Sequence, residues 1–125
     1  MVNRPLRIAV VSPNTLIRTG LGTLIGRHPH RALLVDSSAS DGHLAHLDLV
    51  ILDLLGLGEN PAGELRHLVA DNTAVVVLVL EPRSSVVESA LAAGAVAALP
   101  MSLTSEELVQ ELERAAMIGS RSGER

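Results

Sequence analysis

Two short apolar runs constrain the fold of this chain most. Residues 75–80 read Val-Val-Val-Leu-Val-Leu, and residues 49–52 read Leu-Val-Ile-Leu directly before Asp53. A strand that is apolar on both sides must be covered on both faces, which is typical of a parallel sheet. The two runs therefore predict a central parallel sheet between two layers of helices.

Strand-like and helix-like segments alternate along the rest of the chain. The predicted strands cover residues 6–11, 31–36, 48–53, 73–80 and 96–99. The first predicted helix starts at Ser12-Pro13, with Ser12 as its cap. Its apolar face carries Ile17, Leu21, Leu24 and Ile25 at helical spacing. Further helices are predicted over residues 41–46, 64–70 and 83–93. A glycine-rich loop at 56–63 precedes the helix at 64–70, and Gly94 ends the helix at 83–93.

The last predicted helix is opened by a capping box at residues 104–107, Thr-Ser-Glu-Glu. Together these segments make repeated strand–helix units, which predict an α/β fold. We expect a five-stranded doubly wound parallel sheet of the flavodoxin-like kind, with order 2-1-3-4-5 and helices on both faces. A closed barrel would need more units.

Composition limits the functions that this chain can have. Its 125 residues suit one compact domain, and 47% hydrophobic residues with a net charge of −4 are typical of a soluble globular protein. Absence of Cys excludes disulfides and thiolate chemistry, and absence of Phe, Trp and Tyr excludes aromatic stacking on bases. The basic residues are scattered arginines, so this segment is not predicted to bind DNA by itself. Without a membrane-spanning run or a secretory signal, a cytoplasmic location is expected.

Three segments resemble the receiver domains of two-component response regulators, and in particular receivers that precede a LuxR/NarL-type helix-turn-helix domain. Residues 7–21 resemble the first strand and helix of that family, residues 48–53 its phosphoacceptor strand, and residues 94–108 its closing segment. The resemblance covers nearly the whole chain. It implies a receiver fold and a regulatory function, with residues 1–117 as the domain and 118–125 as a tail or the start of a linker to an output domain that this chain lacks.

Within this resemblance the phosphoacceptor of the family corresponds to Asp53, which is retained. The acidic pair that holds a divalent cation corresponds to Ser12-Pro13, and the lysine corresponds to Met101; the chain contains no lysine at all. The remaining positions of the implied pocket are also changed: the switch hydroxyl falls on Val79, the small residue after it on Leu80, the aromatic switch residue on Ala98 and the loop proline on Leu57.

These replacements remove the groups that phosphoryl transfer to a carboxylate depends on. Such transfer needs positioning and charge neutralisation, commonly by Mg²⁺ and a cationic side chain, and Mg²⁺ prefers oxygen ligands that include one or two carboxylates. Loss of one well-placed donor from an electrostatic site costs about 3–4 kcal/mol of transition-state stabilisation. We therefore expect that Asp53 is not phosphorylated by the usual route, and we predict no enzymatic activity, no metal site and no cofactor.

Structural explanations compete with functional ones for several of these residues. Capping of a turn, or a hydrogen bond to a backbone amide, explains Asp53 as well as a signalling role does, and Ser12-Pro13 is well explained as a helix start. His28 and His30 form one close pair, and His43 and His46 another, but their polar surroundings favour ordinary surface positions over metal binding.

The resemblance implies an atypical receiver, the regulatory module of a DNA-binding transcriptional regulator, that acts without conventional phosphorylation through dimerisation or partner binding. Expected partners are a second copy of the chain or another response regulator, with DNA bound only through the absent output domain. The candidate dimer face carries Val86, Val87, Val96, Val109 and Leu112, for which core packing is the alternative.

Two other functions remain open from the sequence. The altered pocket around Asp53, Leu80 and Met101 could bind a small-molecule ligand, which would make the domain a ligand sensor. Alternatively, the chain could be a degenerate enzyme or a receiver that is phosphorylated conventionally.

Overall fold

The computed structural model describes residues 5–35, 47–54, 65, 74–79 and 85–123, the side chains of Val86 and of residues 119–123 excepted. Its strands are β1 (Leu6–Val11), β2 (Ala32–Leu34), β3 (Leu49–Asp53), β4 (Ala74–Val79) and β5 (Ala97–Pro100). Its helices are α1 (Thr15–Gly26), α2 (Ser85–Ala92) and α3 (Ser105–Gly123).

The five strands form one parallel sheet in the order β2-β1-β3-β4-β5. This order confirms the predicted doubly wound fold. In β3, which lies in the middle of the sheet, all five residues are buried, and in β4 only Ala74 is partly exposed. The two apolar runs that predicted a doubly covered sheet therefore form its two most buried strands, as expected for a parallel sheet with a layer on each side.

The core consists of two clusters, one on each face of the sheet, because successive side chains of a strand point to opposite faces. The first cluster joins Ile51 and Leu78 of the sheet to Leu21 and Ile25 of α1 and to Leu112 of α3. The second cluster joins strand residues of the opposite face to α2 and to Leu65; its sheet members are Leu52, Val75, Val77 and Val79. Both clusters are aliphatic, in keeping with the absence of aromatic residues.

Helix α1 starts two residues later than the sequence predicts. Its cap is Asn14, whose Oδ1 accepts hydrogen bonds from the backbone N–H groups of Leu16 at 2.9 Å and Ile17 at 3.4 Å. Asn is as good a cap as Ser. The prediction that Ser12 caps this helix is therefore wrong, because the hydroxyl of Ser12 is used elsewhere.

Helix α3 opens with the predicted capping box. The backbone N–H of Thr104 donates to Glu107 Oε1 at 2.9 Å, and the backbone N–H of Glu107 donates to Thr104 Oγ1 at 3.1 Å. The helix then continues to Gly123, into the predicted tail at 118–125. No proline interrupts this stretch, and adding a residue to an existing helix is much easier than starting one.

Arg31, in the turn before β2, connects that edge of the sheet to α3. Its Nε and Nη2 atoms donate to the two carboxylate oxygens of Glu113 at 3.0 and 2.8 Å, and its Nη1 atom donates to Glu106 at 3.1 Å. These hydrogen bonds raise the pKa of Arg31 and lower the pKa values of Glu106 and Glu113. Next to them, His28 Nε2 lies 3.3 Å from Ser105 Oγ.

The turn after α2 needs the glycine that the sequence marks there. Gly94 has a φ of 117°, which a residue with a Cβ atom rarely adopts. Its conformation ends α2 and lets Val96 N–H donate to the carbonyl of Val75 at 2.8 Å, at the point where the chain enters β5.

Element boundaries agree with the prediction to within one residue for β1, β3, β4 and β5. Strand β2 is shorter than the predicted 31–36, because Arg31 lies in the preceding turn. The predicted helices at 41–46 and 64–70 and the loop at 56–63 lie outside the described residues, except for Leu65. No helix in the described part of the chain is long and apolar enough to cross a membrane.

Candidate functional site

Asp53 and Ser12 meet at the carboxyl edge of the sheet. Val11 pairs with Leu52 in the register of β1 and β3, so the residues that follow them, Ser12 and Asp53, lie side by side. Ser12 Oγ donates a hydrogen bond to Asp53 Oδ2 at 2.7 Å, and the two residues are 8% and 1% exposed. A distance this short is typical of a hydroxyl that donates to a carboxylate. The carboxylate is therefore enclosed, with one oxygen engaged by a neighbouring strand.

Ser12 also connects Asp53 to the start of α1. The backbone N–H of Asn14 donates to Ser12 Oγ at 3.1 Å, so the same hydroxyl accepts one hydrogen bond and donates another. The carbonyl of Ser12 accepts from Arg18 Nη1, and Arg18 Nη2 donates to Thr15 Oγ1 at 3.3 Å. Sequence reasoning missed this arrangement, because the two residues of the Ser12–Asp53 hydrogen bond are 41 positions apart.

A receiver-type Mg²⁺ site does not fit these residues. Such a site needs carboxylates, whereas the position next to Asp53 holds a hydroxyl whose proton points at the carboxylate. Pro13 is exposed and has no oxygen in its side chain. Within the described ranges, no group of three or more His, Cys, Asp or Glu residues could hold a metal ion, and this includes the pair His28 and His30; His43 and His46 lie outside those ranges.

Of the predicted pocket residues, Ser12 contacts Asp53, whereas Val79 and Ala98 pack on the other face of the sheet. Val79 packs in the second core cluster, on the face opposite to Leu78, and Leu78 is the residue that pairs with Asp53. Ala98 packs against the same second cluster. Met101, which the resemblance aligns with the family lysine, is 43% exposed. Leu80 and Leu57 lie outside the described residues.

The residues of the candidate dimer face divide into two groups. Val109 and Leu112 are fully buried and Val87 is 8% exposed, so these three residues belong to the interior of the domain, which was the alternative explanation. Val96 is half-buried against the first core cluster. The side chain of Val86 lies outside the described residues.

An apolar groove lies beside the carboxyl ends of β4 and β5, between α1 and α3. Its volume is about 500 Å³. One wall is the face of α1 that carries Leu16, Gly20 and Leu24, and the other includes Met101 and Leu103 in the connection from β5 to α3. Asp53 does not line the groove, but its register partner Leu78 does. Leu24 belongs to the predicted apolar face of α1, which therefore covers the core only in part.

The comparisons with known proteins agree with the fold. No protein-family model matches the chain, and no curated protein sequence matches it. Among solved structures, a protein described as pilus assembly-related from Burkholderia pseudomallei is 18% identical and superimposes with a TM-score of 0.76 over 94% of this chain and 93% of its own. The receiver domain of the response regulator NarL from Mycobacterium tuberculosis is 22% identical, with a TM-score of 0.73 over 91% and 98% of the two chains. A CheY-like receiver domain protein from Methanospirillum hungatei is 14% identical, with a TM-score of 0.71 over 94% and 98%.

At these identities the similarity concerns architecture. The strand order and the parallel pairing of all five strands agree with it. This chain has the fold of response-regulator receiver domains.

Proposed function

We propose that this domain is a non-enzymatic regulatory module, an atypical receiver that works without conventional aspartyl phosphorylation. It would act through dimerisation or through binding to another response regulator, as part of a DNA-binding transcriptional regulator whose output domain lies outside this chain. The main support is the hydrogen bond between Ser12 Oγ and Asp53 Oδ2.

Two features of this site oppose phosphorylation. The attacking carboxylate must reach a phosphodonor, and Asp53 is 1% exposed with Oδ2 engaged by the hydroxyl. The phosphoryl group must also be neutralised as it transfers, and the chain has no lysine to do so. Among the described residues, Arg18 joins this network through its Nη1 atom, which donates to the carbonyl of Ser12.

Exposed apolar side chains support an association function. Leu91 on α2 is 45% exposed, and Met117 and Ile118 on α3 are 62% and 46% exposed. A contiguous exposed apolar patch is typical of a contact surface, and Met117 and Ile118 are adjacent in α3. Association could therefore use the last turns of α3, where a following domain would also be connected.

The test is to incubate the protein with Mg²⁺ and acetyl phosphate and to measure its intact mass, with Asp53→Asn as the control. We expect no phosphate adduct on either protein. A stoichiometric adduct that disappears in Asp53→Asn would refute the phosphorylation-independent mechanism.

A restoration experiment makes the same test sharper. Ser12→Asp places a second carboxylate beside Asp53. Met101→Lys introduces an ammonium group at the exposed position that the resemblance aligns with the family lysine. The double variant should gain a Mg²⁺-dependent rise in its unfolding temperature and some phosphorylation. Ser12→Asp combined with Ser102→Lys, which moves the same charge by one exposed residue, should gain less phosphorylation. Equal behaviour of the two double variants would show that position 101 is not the one that matters.

Self-association is tested separately by sedimentation velocity over a range of protein concentrations. The proposal expects a concentration-dependent dimer that weakens when Met117→Ser and Ile118→Ser are combined. A monomer at every concentration, with no binding to a second response regulator, would refute the association mechanism.

A further inference from the structure

We propose that the apolar groove between α1 and α3 is a binding site for a small, uncharged, mainly apolar molecule. This inference goes beyond the proposed function and does not depend on it, because Asp53 does not line the groove.

The size and position of the groove fit a small ligand. Its volume of about 500 Å³ lies in the range of roughly 300–1,000 Å³ that is usual for small-molecule sites. It opens beside the carboxyl ends of β4 and β5, which is the side of a doubly wound sheet on which ligands bind, although the switch point of this strand order lies between β1 and β3. Its floor is formed by the core residues Leu21, Leu78 and Leu108, so an occupant would rest directly on the interior of the domain.

The chemistry of the lining selects an uncharged ligand. None of the eleven described lining residues is ionisable, and Thr23 is the one with a polar side chain. The Thr23 hydroxyl already donates to the carbonyl of Thr19 at 3.1 Å, so it can only accept a further hydrogen bond. A charged group would lose its water without gaining a partner here, and that loss is expensive. An apolar body with at most one hydrogen-bond donor is the complement of such a surface.

Gly20 keeps the groove open. A Cβ atom added at Gly20 would meet nothing within 4 Å, so no neighbouring atom requires a glycine at this position. Glycine inside a helix is unfavourable by about 1 kcal/mol relative to alanine. A larger residue at this position would instead extend into the groove.

An occupant would also contact the edge of the sheet that carries Asp53. Leu78 lines the groove and pairs with Asp53 in the register of β3 and β4, and Pro100 and Met101 line it where β5 ends. Exposed Leu16 and Met101, at 81% and 43%, lie in opposite walls and would be covered by the ligand. Binding there would change the surface at the strand ends without any change at the carboxylate.

The probe for this site is N-phenyl-1-naphthylamine, an uncharged dye whose fluorescence rises in apolar surroundings. The chain has no aromatic residues, so the dye signal has no protein background. We expect saturable binding to one site. Its sulfonated relative, 8-anilino-1-naphthalenesulfonate, has the same two ring systems and an added charge, and it should bind more weakly.

Two pairs of variants assign the binding to the groove. Gly20→Leu fills it, whereas Gly26→Leu adds the same side chain at a helical glycine that also has open space but does not line the groove. Leu16→Glu puts a charge at the rim, and Thr19→Glu puts the same charge on an exposed residue outside the lining. Gly20→Leu and Leu16→Glu should each weaken dye binding by at least about tenfold, while the two controls stay within about twofold of the original protein.

The proposal is overturned if the uncharged dye does not saturate, if Gly20→Leu and Leu16→Glu bind it like their controls, or if the sulfonated dye binds as tightly. It is also overturned if dye binding disappears as the protein dimerises at higher concentration, because the groove would then be covered by a second copy of the chain. Far-UV circular dichroism of each variant shows whether it is folded, and the two independent pairs keep the test decisive if one variant is not.

Discussion

Removal of the Ser12 hydroxyl should destabilise the domain by about 2 kcal/mol. The Ser12→Ala variant loses a 2.7 Å hydrogen bond to the buried carboxylate of Asp53, and a hydrogen bond to a charged group contributes about 1.5–3 kcal/mol. The same hydroxyl accepts from the N–H of Asn14 at 3.1 Å. Asn14 is exposed, so water can replace that acceptor at little cost.

The contribution of charge can be separated with a double-mutant cycle. In the Asp53→Asn background the acceptor at position 53 is neutral, and neutral hydrogen bonds are about half as strong as charge-assisted ones. Ser12→Ala should then cost about 1 kcal/mol instead of about 2. Both losses of stability come from the hydrogen bond between positions 12 and 53, so their difference measures how much the negative charge of the carboxylate contributes to that bond.

The assay is urea unfolding followed by far-UV circular dichroism, because the chain has no aromatic residue to serve as a fluorescent reporter. Linear extrapolation gives the free energy of unfolding of each variant in water. Ser102→Ala, at an exposed serine, is the matched control and should change stability by less than about 0.5 kcal/mol. A loss below about 0.5 kcal/mol for Ser12→Ala, or an equal loss in both backgrounds, would refute the reasoning.

Three further predictions concern the rest of the fold. Arg31 lowers the pKa values of Glu106 and Glu113 in the folded state, so the stability that these carboxylates provide is present above the unfolded value of 4.5 and is lost as the pH falls through the lower folded values. In Arg31→Met the unfolding temperature should therefore fall less steeply below pH 5 than in the original protein, and parallel curves for the two proteins would contradict this. Leu112→Ala should lower the free energy of unfolding by about 2–5 kcal/mol in urea titrations, because Leu112 is fully buried, and a change in self-association without that loss would instead support a dimer face. Gly94→Ala should cost about 1–3 kcal/mol in the same assay because of the φ of 117°, and unchanged stability would show that the turn can readjust.

The strands were predictable because their signal is local. Residues 49–52 and 75–79 are apolar without interruption. Because strands of this kind must be covered on both faces, they are expected in the middle of a sheet that has helices on both sides. Gly94 and the capping box at 104–107 were predictable for the same reason, since each motif satisfies the backbone of its own turn.

The site was predictable only in its location. The resemblance placed Asp53 at the strand edge, but the partner of Ser12 is set by the register of β1 and β3, which brings together residues 41 positions apart. Ser12-Pro13 and Asn14 are both good helix starts, and the choice between them depends on that distant contact. The groove was missed because Ile17 and Leu24 belong to the predicted apolar face of the first helix, and periodicity does not reveal whether a neighbouring element covers each residue of that face.

The Arg31 contacts limit how α3 can move against the edge of the sheet. Glu106 and Glu113 are seven residues apart, about two helical turns, so they lie on the same face of α3. One guanidinium therefore binds this face at two positions along the helix. A rotation of the helix about its own axis by one residue, roughly 100°, would break the hydrogen bonds of both carboxylates with Arg31. Arg31 therefore opposes rotation of α3 about its own axis for as long as both ion pairs are formed.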